Sequence, residues 1–215
     1  MVLVSHRYKF IYLKNYKVAG TSVESFFGQF CVDPSEPYSF EEKTDEKVSS
    51  YGIIGTRMVA RKKWFNHKHA KEIKKDIGEE IFNSYLKFCV VRNPYDLMVS
   101  SYFWDLHLNN TDSLPYDFKT YCSQYHPYYN RSNVSRILLD GTPVCDVYLR
   151  YEKLKEDITS ICKKLEITQY NIDDLPNHKS GIRPIKPYQE YYDEETKEIV
   201  SNLFKTEIEM FGYTF

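Results

Sequence analysis

Two rhythms of apolar and polar positions run along this chain of 215 residues. Tyr8–Leu13 reads Y-K-F-I-Y-L, aromatic and β-branched, and predicts a strand. After a polar turn over Lys14–Gly20, Thr21 and Ser22 open a helix whose Val23, Phe26, Phe27 and Phe30 fall at i, i+3, i+4 and i+7. Tyr51–Thr56 predicts a short strand. Ile73, Ile77, Ile81 and Tyr85 recur every four residues and predict a helix with Gly78 as its weak point. Leu86–Val91 is the clearest buried strand; it stops at Arg92-Asn93-Pro94, and Pro94 suits the first position of the next helix. Asp146–Tyr151 predicts a further strand, followed at once by a helix with the stripe Leu154, Ile158, Ile161, Cys162 and Leu165. Pro176–Pro187 reads as a loop. In the last helix Asp193 is the expected N-cap, Glu194 and Glu195 fill the first turn, and Ile199, Val200, Leu203, Phe204, Ile208 and Phe211 make the stripe.

Strand–helix units in this succession predict an α/β fold with a mainly parallel sheet, whose sites lie at the carboxyl ends of the strands. No internal repeat or low-complexity linker interrupts the chain, which predicts one domain over 1–215. Two tracts stand outside the pattern. Residues 33–50 are acidic, carry two prolines and read as a surface excursion. Residues 108–143, rich in Asn, Ser and Tyr, have no steady period; Tyr116, Tyr121, Tyr125, Tyr128 and Tyr129 crowd there. Aromatic faces suit stacking on sugar rings, and they equally suit packing of a long loop.

Charge narrows the partners. With 29 Lys+Arg against 30 Asp+Glu, the chain lacks the electrostatic footprint of a general nucleic-acid or anionic-membrane binder, while a small basic anion site stays open to it. Its 20 tyrosines and 13 phenylalanines argue against disorder. No apolar stretch approaches a bilayer span, and the first residues break with charge too early for a secretory segment. The five cysteines contain no C-x-x-C, so neither a zinc site nor a disulfide framework is expected. Reduced thiols and a cytoplasmic protein are the expectation.

Candidate chemistry starts with Lys17-Val-Ala19-Gly20-Thr21-Ser22. A strand feeding a turn, then Gly and two hydroxyl residues at a helix start, gathers free N–H groups and the positive end of the helix dipole into a phosphate cradle. The same residues also make an ordinary helix cap. The pattern G-x-x-x-x-G-K-[ST] is absent. Arg92, at the end of a buried strand, has the planar fork that suits phosphate, with Ser100 eight residues on; pairing of Arg92 with Asp96 is the plainer alternative. Near the C-terminal side, Lys179 and Arg183 flank Gly181 in a loop that either closes over a bound cofactor or is simply a solvated basic loop, the plainer reading for Lys179.

Together K-V-A-G-T-S and F-C-V-V-R-N-P-Y-D-L-M-V-S-S-Y closely resemble the sulfotransferases, especially their carbohydrate-type branch. Leu149-Arg-Tyr-Glu-Lys-Leu154 and the closing helix add to the likeness, which covers roughly half the chain in the right order. Asn15-Tyr16 departs from it, standing where many members have a proline before the lysine. The resemblance implies a P-loop-like, three-layer α/β fold with the central mainly parallel sheet flanked by helices. It also implies a donor, 3′-phosphoadenosine-5′-phosphosulfate, leaving adenosine 3′,5′-bisphosphate as product with no metal. It carries Lys17, Gly20, Thr21 and Ser22 to the 5′-phosphosulfate, and Arg92 and Ser100 to the 3′-phosphate; Ala19 of the same turn and Arg183 of the later loop are further cofactor-binding candidates. Sulfuryl transfer to a hydroxyl needs a base, and histidine suits that work. Asn66-His67-Lys68-His69 offers two candidates. The family segment has its histidine three residues before Ala-Lys-Glu-Ile, which marks His67, with His69 in reserve. The acceptor implied is a carbohydrate, recognised through residues 33–50 and 108–143. A nucleotide kinase, or a nucleotide- or sugar-binding module without catalysis, is the competing reading.

Overall fold

In the computed structural model, which describes residues 1–60, 62–109, 117–124, 133–178 and 181–215, the first elements are β1 (Leu3–Ser5), β2 (Phe10–Leu13), α1 (Gly20–Gly28), β3 (Lys47–Val48), β4 (Gly52–Ile54), α2 (Ala70–Ile77), α3 (Glu79–Ser84) and β5 (Leu86–Val91). Then come α4 (Pro94–Leu108), α5 (Phe118–Ser123), α6 (Asn133–Ile137), β6 (Leu138–Leu139), β7 (Thr142–Pro143), β8 (Val147–Arg150), α7 (Leu154–Lys164), α8 (Glu194–Leu203) and α9 (Lys205–Phe211). They gather into two units, Met1–Val91 with Ser135–His178, and Arg92–Val134 with Lys179–Phe215. Tyr116, Tyr125, Tyr128, Tyr129 and Lys179 lie outside the described residues.

The first unit is built on a sheet of order β3-β4-β1-β2-β5-β8. Its β2, β5 and β8 are parallel, as the strand–helix succession predicts. The other side is antiparallel: β1 pairs with β2 and with β4, and β4 with β3, so the sheet is mixed. The sequence pattern did not mark β1, because a strand of three residues buried throughout shows no alternation. Register sets Tyr12 beside Phe88 and puts Phe10 on the same face. Phe27 of α1 lies on that face, its ring 5.7 Å from Phe10 and 5.0 Å from Phe88, and packs also against Phe26 and Phe30. The apolar stripe read from the sequence is therefore the face by which α1 covers the sheet. On β8 lies α7, with Ile158, Ile161 and Cys162 buried.

Gly78 does more than weaken a helix. With φ 91° and ψ 152° it takes a backbone that only glycine adopts freely, and it divides the predicted helix into α2 and α3. Within the tract expected to be irregular, β6 and β7 form a hairpin around Asp140-Gly141, both at positive φ (50° and 81°). That is the backbone of a tight hairpin turn, and Asp-Gly is the sequence signal for it.

The second unit is helical among the described residues. Helix α4 packs with α5 and α8, and Tyr95, Tyr192 and Phe215 stack edge to face. Asp193 caps α8 as expected, its carboxylate accepting from the Thr196 amide at 2.7 Å. The last predicted helix is broken at Phe204 (φ −111°) into α8 and α9. All five cysteines are buried, none in a disulfide. No described helix is long and apolar enough to cross a membrane.

Phe27 tests this core. Phe27→Ala removes a fully buried ring shared by two strands and the rest of α1, and should cost about 3–5 kcal/mol in a urea unfolding titration.

Candidate functional site

Strand β2 delivers the chain into a turn with an unusual backbone. Lys17 and Ala19 are both left-handed, at φ 56° and 58°. Each such residue costs about 1–2 kcal/mol outside glycine, a strain that persists where the surrounding structure fixes it. Alternating left-handed positions curl successive N–H groups inward into an anion nest. Ala19 is also the N-cap of α1 and supplies no side-chain hydrogen bond. The first N–H groups of α1, at Gly20, Thr21 and Ser22, thus form the positive end of the helix dipole with no side-chain cap from Ala19, an arrangement suited to an anion. Lys17 and Thr21 are half-buried beside them.

Beneath the turn lies a group that sequence reading missed. Glu24, fully buried on α1, accepts from Lys14 Nζ at 2.8 Å and from Arg57 Nη2 at 2.6 Å, and also meets the Met1 amino group. Arg57 Nη1 in turn lies 3.4 Å from Thr21 Oγ1. A Cβ on Gly20 would stand 2.7 Å from Lys14 Cε. The glycine expected to admit a ligand thus has a packing reason as well: it lets the Lys14 stem pass to Glu24. Ser22 is buried, and its hydroxyl accepts from the His178 amide at 3.3 Å. Its backbone N–H, more than its hydroxyl, is what it offers to a phosphate.

His67 is tied to the same turn. Its Nδ1 lies 3.2 Å from the Lys14 carbonyl oxygen, an acceptor only, so Nδ1 carries the proton and Nε2 keeps its lone pair. The imidazole is stacked on Tyr16, ring centroids 3.7 Å apart and planes 17° from parallel, and the Arg136 guanidinium lies 4.2 Å from the centre of the Tyr16 ring. Burial, with the charges of Lys14, the chain's first amino group and Arg136, holds the imidazole well below its ordinary pKa; the Lys14 carbonyl opposes this more weakly. His67 is therefore a neutral ring at pH 7, with one nitrogen free to take a proton. Its own backbone is left-handed, at φ 58°.

His107 of α4 lies tilted against Trp104, and three further histidines make structural contacts. His69 is the N-cap of α2, and its amide donates to the Glu72 carboxylate at 3.2 Å. His6 Nδ1 meets the Tyr85 hydroxyl at 2.9 Å, and the His178 ring is tilted on Phe40. His69 is half-buried, and its position serves the start of a helix.

The remaining predicted residues belong to the second unit. There Asp96 receives Arg92 Nε at 2.7 Å and Arg183 Nη1 at 2.5 Å. Burial alone would raise the Asp96 carboxyl, but the charges and hydrogen bonds of Arg92 and Arg183 outweigh it and hold the carboxyl below its usual range. The plainer expectation for Arg92, an ion pair with Asp96, is what the structure shows, and it brings Arg183 to the same carboxylate. Ser100 is half-buried on α4, about 9 Å along the axis from Pro94.

Of the residues missed, Tyr16 and Arg57 carried no signal, since one aromatic and one isolated arginine match no motif. Glu24 carried one in retrospect, as a charged residue between Val23 and Phe26 on the buried side of the stripe.

Comparison with known proteins adds to this geometry. A profile described as the sulfotransferase family matches residues 1–214. An uncharacterized protein of Archaeoglobus fulgidus is 26% identical over 97 residues, covering 45% of this chain and 81% of its own length. No solved structure matches significantly. The match over nearly every residue, through both the strained turn and the paired arginines, makes this chain a member of the sulfotransferase family.

Proposed function

We propose that this protein transfers the sulfuryl group of 3′-phosphoadenosine-5′-phosphosulfate to an acceptor hydroxyl, with His67 as the base. One observation carries the reading: a neutral histidine, its protonated nitrogen fixed on the Lys14 carbonyl, is bonded to the turn that opens α1 without a side-chain cap. An anion cradle and a proton acceptor on one turn are what sulfuryl transfer needs at the 5′ end of that donor. The order of β2, turn and α1 is in keeping with a P-loop-like arrangement, and the single match over 1–214 favours one catalytic domain.

In this reading the N–H groups of Gly20, Thr21 and Ser22 hold the 5′-phosphate. The acceptor oxygen attacks sulfur in line with the departing phosphate oxygen and gives its proton to His67 Nε2. Lys17 meets the charge growing on the bridging oxygen as its bond to sulfur breaks. Arg92 and Arg183, gathered on Asp96, take the 3′-phosphate with Ser100. Cations and N–H groups meet the donor's charge, so no metal is called for. Residues 33–50 and 108–143 are the proposed acceptor-recognition segments, and a carbohydrate is the proposed acceptor. The unbridged thiols fit a reducing compartment such as the cytoplasm.

The reading separates from a kinase by titration calorimetry. Adenosine 3′,5′-bisphosphate should bind without metal, whereas a kinase would prefer ATP with magnesium. Arg92→Ala should weaken the bisphosphate about ten- to a hundredfold and leave adenosine 5′-monophosphate unaffected. Lys17→Ala should cut kcat about 10²–10³-fold in a radiolabelled sulfate transfer assay, with bisphosphate affinity little changed. Assaying glycans, tyrosine peptides and small alcohols side by side identifies the acceptor class.

His67→Asn, which tolerates the left-handed backbone, should keep bisphosphate binding and lose transfer. Because His67 must be neutral to accept a proton and its pKa is lowered, activity should persist to lower pH than an ordinary imidazole of about 6.5 allows, and fall only as pH drops below that range. Normal transfer by His67→Asn with a dead His69→Ala would move the base to His69.

A further inference from the structure

Tyr16 stands between two groups. The His67 imidazole lies 3.7 Å from the centre of its ring, and the Arg136 guanidinium 4.2 Å. Carbon atoms approach no closer than about 3.5 Å without repulsion, so two planar groups this near one ring centre occupy opposite faces. Arg136 is only 2% exposed, and its charge sits behind the tyrosine rather than in water. The guanidinium face is drawn to the ring's negative π cloud on one side, which braces the ring on the other. Tyr16 itself is fixed by its neighbour, since Asn15 Nδ2 donates to the Val90 carbonyl of β5 at 3.0 Å.

Resting on the reading of His67 as the base, we infer that Tyr16 is a positioning residue: its ring, backed by Arg136, holds the His67 imidazole in the plane and tautomer set by the Lys14 carbonyl. A hydrogen bond at one nitrogen fixes a direction but leaves the ring free to rotate about it. A flat surface against the ring removes that freedom, and it excludes water from one whole face. The ionisable groups around His67 are Lys14 from the turn, Arg136 from α6 and the Met1 amino group ahead of β1, whose own pKa burial pulls well down, with the Glu24 carboxylate of α1 paired to Lys14 and Met1. Lys68, next in the chain, is engaged by Asp76 and the Lys63 carbonyl. The surroundings are thus cationic and the stacked face is dry, and both favour the neutral imidazole, which accepts protons.

The test compares Tyr16→Phe with Tyr16→Leu, using side-chain NMR titration of His67 in the full chain alongside turnover. Tyr16→Phe keeps the ring, so the His67 midpoint should stay in place and kcat should hold within about twofold. Tyr16→Leu removes the flat surface and wets the imidazole. Its midpoint should rise toward the ordinary range, kcat should fall about tenfold with the donor KM unchanged, and the acid limb of kcat should move to higher pH. An unmoved midpoint in Tyr16→Leu overturns the inference, and so does a loss in Tyr16→Phe equal to that in Tyr16→Leu, which would assign the effect to the hydroxyl. Should Tyr16→Leu fail to fold by near-UV circular dichroism, Tyr16→Met, which refills the space without a flat face and leaves the Arg136 charge in place, decides: a raised His67 midpoint supports the stack and an unchanged one overturns it. The NMR arm reads the stack whether or not His67 is the base, and His67→Asn transfer reads the base alone.

Discussion

A carboxylate sealed from water under the turn between β2 and α1 is the constraint on which the rest of the candidate site depends. Glu24 draws Lys14 from the end of β2 and Arg57 from beyond β4 onto one point of α1. A buried ion group of this kind adds little net stability over a well-packed apolar one, but losing one partner leaves an uncompensated charge inside. Its value is positional. It sets where α1 begins relative to β2, and hence where the left-handed Lys17 and Ala19 can exist. Gly20 belongs to the same arrangement, because any side chain there would displace the lysine stem.

The parts of the molecule that were legible in the sequence are those with a repeating physical signal. The stripe Val23-Phe26-Phe27-Phe30 and the run Leu86–Val91 declared α1 and β5, because large apolar residues recur at helical spacing in one and run nearly unbroken in the other. Short elements declare nothing: β1 and β3 are too brief to alternate, and Gly78 and Phe204 divide stripes that continue unbroken across them. In the site, the motif residues at the turn and at Arg92 were legible through resemblance. Their partners Glu24, Arg57, Tyr16 and Arg136 were not, because they lie far apart in the chain and meet only through the fold.

Two electrostatic solutions operate in the two units. At the turn, cations surround a histidine and keep it uncharged, the state in which it accepts a proton. At Arg92 and Arg183 a single carboxylate gathers two guanidiniums and stays ionised to do so. In the first case like charges repel a proton; in the second an opposite charge gathers two guanidiniums. The pair Asn15-Tyr16 serves the first: Asn15 clamps the turn to β5 and Tyr16 lies flat on the histidine.

The cysteines have a practical consequence. All five are buried, and burial pushes the Cys31, Cys122, Cys145 and Cys162 thiols up, away from the reactive thiolate. The folded protein therefore resists alkylation, and each labelling event reports an opening of the surrounding structure. Because these residues sit in both units, the order in which they become modified in denaturant traces which part of the chain comes apart first, with no added probe.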